Sequence, residues 1–219
     1  MTDEAPFDSR DDDDGAFAGA GIELCRAAHR RLIATANGLT DDVVSGPSLL
    51  PDWTVGHVLT HVARNAEGHT RRLEAALDGA EVARYPGGLE ERAADIEAGA
   101  GRSARDLASD VAESAERLED AWSRSVAAGW PHQDLMAGDR WATPESPWRR
   151  LREVEVHHVD LGVGYGPEDW PEGYVAWEMP RVLATVQARV PDPDEARRLI
   201  GWMIGRRDEP GGITFDPWG

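Results

Sequence analysis

The sequence predicts an all-α fold built around a four-helix bundle. Three observations predict it. Four long stretches repeat apolar residues at three- and four-residue spacing, the period of a helix with one buried face. Asn, Asp, Gly and Pro punctuate the ends of those stretches. After Gly164 no run reads as a strand. Loop-rich connections between four long helices imply a bundle whose sites are built from inward-facing side chains.

Met1 to about Gly15 is acidic, contains Pro and Gly, and lacks apolar periodicity. It is expected to be a disordered leader outside the fold. Residues 16–166 are expected to form the bundle. Its first helix is expected from Ala16 to about Asn37. Ile22, Leu24, Cys25, Ala28, Leu32 and Ile33 make the apolar side, and Arg26, Arg30 and Arg31 lie on the other. Asn37-Gly38 ends it, because both residues tolerate the left-handed turn. Thr40 to Pro51 reads as a short helical turn and a loop. Thr54 is the expected N-cap of the second long helix, Val55 to about Leu77, since its hydroxyl can accept a free first-turn amide. Asp78-Gly79 closes that helix.

Tyr85-Pro-Gly-Gly88 reads as a loop and Leu89 to Ala98 as a short helix, interrupted at Gly99-Ala-Gly101. Ser103-Ala-Arg-Asp106 resembles a capping box with Asp in place of Glu. It opens a third long helix that reaches about Val126. Gly129-Trp-Pro131 breaks the chain, and His132 to Glu145 reads as a loop or a paired extended segment. Ser146-Pro147 opens the fourth long helix with a capping hydroxyl and a proline whose missing amide costs nothing there. This helix ends near Gly162. Residues 167–219 are expected to form a C-terminal extension. It has helices at about Tyr174 to Arg189 and Asp194 to Gly205, then an irregular tail from Gly211.

Composition narrows the function. Among 219 residues, 23 Lys and Arg face 41 Asp and Glu, a formal charge of -18. Such a surface repels phosphate backbones and anionic headgroups, so neither nucleic acid nor membrane is an expected partner. Cys25 stands alone, which excludes an intramolecular disulfide and a thiolate-rich metal site. It sits in an apolar helical pattern and reads as a small buried hydrophobe. There is no signal-peptide pattern and no apolar run of about 18 residues, so a cytoplasmic location is expected. The abundance of Ala, Arg, Asp, Glu and Gly with few Lys fits a GC-rich genome.

The chemistry concentrates in Arg150-Leu-Arg-Glu-Val-Glu-Val-His-His-Val-Asp160. Residues three or four apart share a helical face. Glu153 and His157 therefore point one way. Glu155 is turned about 200° from Glu153 and cannot share its site. His158 is turned about 100° from His157 and could reach only Glu155. Asp160 could sit behind His157 as an acceptor. A catalytic Zn²⁺ usually takes three protein ligands and keeps one position open. His57 or His61 could supply the third, and His61, deeper in its helix, is preferred. The same spacing also occurs in ordinary solvated pairs. Leu151, Val154, Val159 and Leu161 argue instead for a buried helix, where an unpaired Glu is expensive. Arg149, Arg150 and Arg152 read mainly as a solvated basic patch. One of them could grip a substrate carboxylate through its planar fork.

Trp53-Thr-Val-Gly-His-Val-Leu-Thr-His-Val-Ala-Arg-Asn65 and Arg150 to Gly162 resemble the two signature segments of the mycothiol-dependent maleylpyruvate isomerase family. That family lies within the DinB/YfiT-like superfamily of metal-binding four-helix bundles. Ile200-Gly-Trp-Met-Ile-Gly-Arg206 resembles its late helix. The resemblance implies a divalent metal, usually zinc, on His61, Glu153 and His157. It also implies mycothiol as cosubstrate, a small-molecule substrate, an actinobacterial source, and a role for Arg206 near the substrate. In such an isomerase the thiol adds to a conjugated double bond, the new single bond rotates, and elimination leaves the trans acid. The family carries a small mixed α/β domain after the bundle. Here about 55 residues follow Gly164, so the C-terminal extension is expected to be shortened and mainly helical. The alternatives to an isomerase are a mycothiol S-transferase and a non-catalytic metal-braced binding or interaction protein.

Overall fold

The computed structural model describes residues 12–131, 142–209 and 211–212. All its regular elements are helical, apart from one isolated bridge between Pro47 and Thr54. The helices are α1 (Asp12–Asn37), α2 (Asp41–Val44), α3 (Val55–Leu77), α4 (Gly88–Ala100), α5 (Ala104–Ala127), α6 (Ser146–Asp160), α7 (Glu172–Arg189) and α8 (Pro193–Met203). The chain divides into two compact units, Met1–Trp170 and Pro171–Gly219.

The first unit is the bundle. α3 packs against α5 and α6, and α1 packs against the same two helices, so α1 and α3 lie across the bundle from each other. Short α2 and α4 pack on α3. The core is drawn from all four long helices: Leu32 from α1, Val58, Leu59, Val62 and Leu73 from α3, Leu107, Leu118 and Trp122 from α5, Leu151 and Val154 from α6. Each such side chain contributes about 1.5–3 kcal/mol on leaving water. Cys25 is fully buried in this core, and burial pushes its thiol pKa up. Gly21 lets α1 and α6 approach, because a Cβ there would lie 2.7 Å from the Trp148 ring. The Trp148 indole donates to the Phe17 carbonyl at 2.8 Å beside it.

Several expected boundaries move. α1 begins at Asp12, inside the stretch expected as leader. The rest of that leader, residues 1–11, lies outside the described residues. So do residues 132–141, most of the expected loop before the fourth helix, and nearly all of the irregular tail. α4 runs through Gly99, with Gly101 as its C-cap. The bundle extends past Gly166 to Trp170, since the Trp170 indole donates to the Glu155 carbonyl at 3.3 Å.

Two caps differ from expectation. Ser103 accepts from the Asp106 amide at 3.2 Å, but the Asp106 carboxylate takes the Ser103 hydroxyl rather than its backbone amide. Asp is one methylene shorter than the Glu of a full capping box. Ser146 does not cap α6. Its hydroxyl oxygen receives the Trp122 indole N–H at 3.0 Å and lies 3.0 Å from His69 Nδ1, inside the core.

The second unit contains α7 and α8, joined at Val190-Pro-Asp-Pro193. Asp192 caps α8 by accepting from the amides of Asp194 and Glu195, and Pro193 follows at the first helical position. No strand is present among the described residues of this unit. No described helix is long and apolar enough to cross a membrane.

Candidate metal centre

α3 and α6 build the site. Thr54 starts α3: its hydroxyl accepts from the His57 amide at 3.3 Å, and its own amide donates to His57 Nδ1 at 3.1 Å. The ring of His57 thus closes a capping box, and its Nε2 lies 3.1 Å from Glu97 Oε2. One turn later His61 points inward and is buried.

His61 Nε2 meets the paired residues of α6. It lies 3.2 Å from Glu153 Oε2 and 3.0 Å from His157 Nε2, and His157 Nε2 lies 3.6 Å from the same carboxylate oxygen. These three form the only described group of three or more His, Cys, Asp or Glu that could close on one ion. His57 is not among them. Behind His157, Nδ1 donates to Asp160 at 2.8 Å. Trp53 sets its ring edge-on to His61, 5.7 Å away. The floor is closed and the rim is open: the His61 side chain is 4% exposed and that of Glu153 26%.

Electrostatics suit a cation. Burial holds His61 at a pKa of about 4, against the pull of Glu153, so its imidazole is neutral at pH 7. Burial would raise Glu153, but hydrogen bonds from His157 and His61 outweigh it and hold the carboxylate well below its usual range. Burial likewise opposes a charged His157, yet its bonds to Asp160 and Glu153 raise it to about 9. Two imidazole nitrogens and one carboxylate oxygen converge on a common point, and once the imidazoles give up the protons they now donate, they are a donor set that fits Zn²⁺.

Glu155 and His158 face away from this centre, towards α1. Glu155 accepts from Arg31 at 2.5 Å and from the Tyr165 hydroxyl. By sequence, Glu155 is the one residue of that stretch within reach of His158. Instead His158 Nε2 lies 2.8 Å from the Thr35 hydroxyl, and its ring stacks on Tyr165 at 3.8 Å. Two stronger donors already hold the Glu155 carboxylate.

The basic patch before Glu153 also resolves differently. Arg149 pairs with Glu145 at 2.7 Å. Arg150 is not solvated at all: it is fully buried and donates to the Val62 carbonyl, Asn65 Oδ1 and His29 Nε2. Three residues after Pro147 and four before Val154, both buried, it faces the core, which an arginine triplet hides. Arg206 lies exposed in the C-terminal unit, donating to the Ile204 carbonyl at 3.2 Å. Arg92 of α4 was not singled out by sequence. Its Nη2 sits 3.0 Å from His61 Nδ1, and its guanidinium 5.7 Å from the Tyr85 ring centroid. No motif links α4 to the signature segments, so only packing could reveal it.

Residues 25–162 match the family described as the mycothiol maleylpyruvate isomerase N-terminal domain. The chain belongs to that family. The match spans both signature segments and thus all three clustered side chains. Among solved structures, the chain is similar to a mycothiol-dependent maleylpyruvate isomerase, with a TM-score of 0.68 and 29% identity. A second similar structure is a histidine-to-alanine mutant of a mycothiol-dependent maleylpyruvate isomerase, with a TM-score of 0.67 and 28% identity. In each case the likeness covers 73% of this chain and 66% of the other. This likeness places the bundle among DinB-like helical folds. No curated protein matches the chain significantly.

Proposed function

We propose that the chain is a metal- and mycothiol-dependent enzyme that isomerises a maleylpyruvate-type cis acid by reversible thiol addition. One observation carries this reading: His61, Glu153 and His157 converge within 3.0–3.6 Å beneath an open rim, in the domain that defines the family. Zn²⁺ or another divalent ion, when bound, would supply Lewis acidity that lowers the thiol's pKa or polarises a carbonyl.

The chain's own residues prepare that chemistry. Asp160 takes the Nδ1 proton of His157 in a hydrogen bond, which aims Nε2 into the cluster. Burial keeps His61 neutral and competent as a ligand. Glu153 stays ionised and offsets the cation's charge. Trp53 packs against one side of the His61 ring. At the open rim the thiol sulfur adds to the substrate's conjugated double bond. The new single bond rotates, and elimination returns the thiol with the trans acid. Arg206, carried over from the family pattern, is assigned to the substrate side, and the enzyme to the cytoplasm.

A mycothiol S-transferase is the second reading. The same thiol-activating centre would serve it, with the adduct released before elimination. Incubating mycothiol with maleylpyruvate separates the two: an isomerase returns free thiol, and a transferase leaves a stable adduct. The metal is tested on untagged protein by elemental analysis. His61→Ala, Glu153→Gln and His157→Ala should each abolish zinc uptake, while His57→Ala should retain it. Full activity in metal-free protein would overturn the reading.

A further inference from the structure

We propose that Arg92 is the residue that receives a carboxylate of the substrate beside the metal centre. This deepens the functional reading above and rests on it.

The case begins with charge. Acids outnumber bases 41 to 23, and several arginines of the bundle pair with them. Arg31 pairs with Glu155, Arg64 and Arg102 with Asp110, and Arg149 with Glu145. Arg92 does not. Among the described residues its partners are a ring nitrogen of His61 and the face of Tyr85. Its own helix offers acids in plenty, but Glu90, Glu91, Asp95 and Glu97 are exposed, while Arg92 is half-buried and turned towards the site. Glu91 is taken by the Gly87 amide at 2.6 Å, and Glu97 lies at His57.

A guanidinium only donates, so its bond to His61 uses the Nδ1 lone pair; once Nε2 takes a metal, Nδ1 carries the ring proton and that donor of Arg92 is released as well. The remaining donors of the planar fork match the two oxygens of a carboxylate. The aromatic face of Tyr85 holds the cation without neutralising it. The His61 ring sets the spacing: Arg92 lies 3.0 Å from its Nδ1, and its Nε2, across the ring, faces Glu153 and His157. A ligand that reaches the centre through one group can therefore set a carboxylate on Arg92 through another. The substrate class is a small unsaturated acid whose carboxylate lies a few bonds from the group at the metal.

The test uses zinc-loaded full chain without thiol, so that no turnover occurs. Binding of maleate and of neutral dimethyl maleate is measured by calorimetry on wild type, Arg92→Gln and Arg92→Lys, with zinc content and circular dichroism recorded for each. Maleate should bind Arg92→Gln about 10–100-fold more weakly, the value of charge-assisted hydrogen bonds. Arg92→Lys should recover part of that loss, and dimethyl maleate should bind all three alike. Equal maleate affinity in wild type and Arg92→Gln, with zinc bound, overturns the role of Arg92 and leaves the metal reading intact. Loss of zinc or of helicity in both variants also overturns it, because Arg92 would then hold His61 or the fold. A wild-type chain that takes up no zinc overturns both readings.

Discussion

The buried guanidinium of Arg150 on α6 donates to the backbone carbonyl of Val62 on α3 at 2.9 Å, one residue beyond His61. The same side chain reaches Asn65 Oδ1 at 2.9 Å and His29 Nε2 at 3.2 Å, and His29 reaches Glu119 of α5 at 2.8 Å. One arginine thus links α6 to α3 and α1, and through His29 to α5. It sits three residues before Glu153, so it sets the register of the two helices that carry the clustered ligands. Arg150→Met should strand several buried acceptors and destabilise the fold by about 3 kcal/mol. Urea unfolding measures that loss. Zinc affinity in the folded fraction should fall with it, and Arg150→Lys should recover only part.

Asp160 acts on the centre through His157 alone. Asp160→Asn removes the charge from the 2.8 Å bond while keeping the side chain's shape. Zinc affinity should drop about 10–100-fold, as for other partners of metal-bound histidines. Competition with a chromogenic chelator gives the number. Unchanged affinity would show that ring orientation is set by packing.

His29 makes stability depend on pH. Burial holds its pKa at about 4, below the ordinary value near 6.5, even with Glu119 beside it. Its folded-state pKa is depressed, so between those values the unfolded chain binds more protons. The contribution is complete above about pH 6.5 and is lost as pH falls towards 4. Unfolding midpoints should therefore decline across that window. His29→Gln, which cannot titrate, should make the slope there shallower, with His158, also held at about 4 by burial, keeping part of it.

Gly56 marks where α3 meets its neighbours. A Cβ at this position would fall 2.2 Å from the Ala100 carbonyl oxygen and 3.2 Å from that of Val44, both backbone atoms. Ala is the better helix former by about 1 kcal/mol. Overpacking against the end of α4 should exceed that gain and leave Gly56→Ala less stable by about 2 kcal/mol. Thermal melts would reveal an error of sign directly.

Much of the bundle was legible because its signals are local. Thr54 precedes Val55 and caps α3 as its sequence position implies, and the α3 boundaries follow. Ser146 carried the same signal and misled, because Trp122 and His69 reach its hydroxyl from α5 and α3. A capping residue is readable only where no distant group competes for it. Arg150 failed for the same reason: a cationic triplet looks solvated until a carbonyl, an amide and an imidazole from two other helices surround one member.

By itself the sequence determined the pairing within one helix. The 3.6-residue period puts Glu153 and His157 on one face, turns Glu155 away, and sets Asp160 behind His157, whatever surrounds them. Tertiary structure alone decided the rest. It spent His57 on the α3 cap and turned His61 to the cluster, brought Arg92 against His61, and seated Arg150 between α3 and α1. The physical reason is separation. Contacts within a helical turn follow from backbone geometry, whereas contacts across tens of residues exist only once apolar faces have packed and fixed the helices against each other.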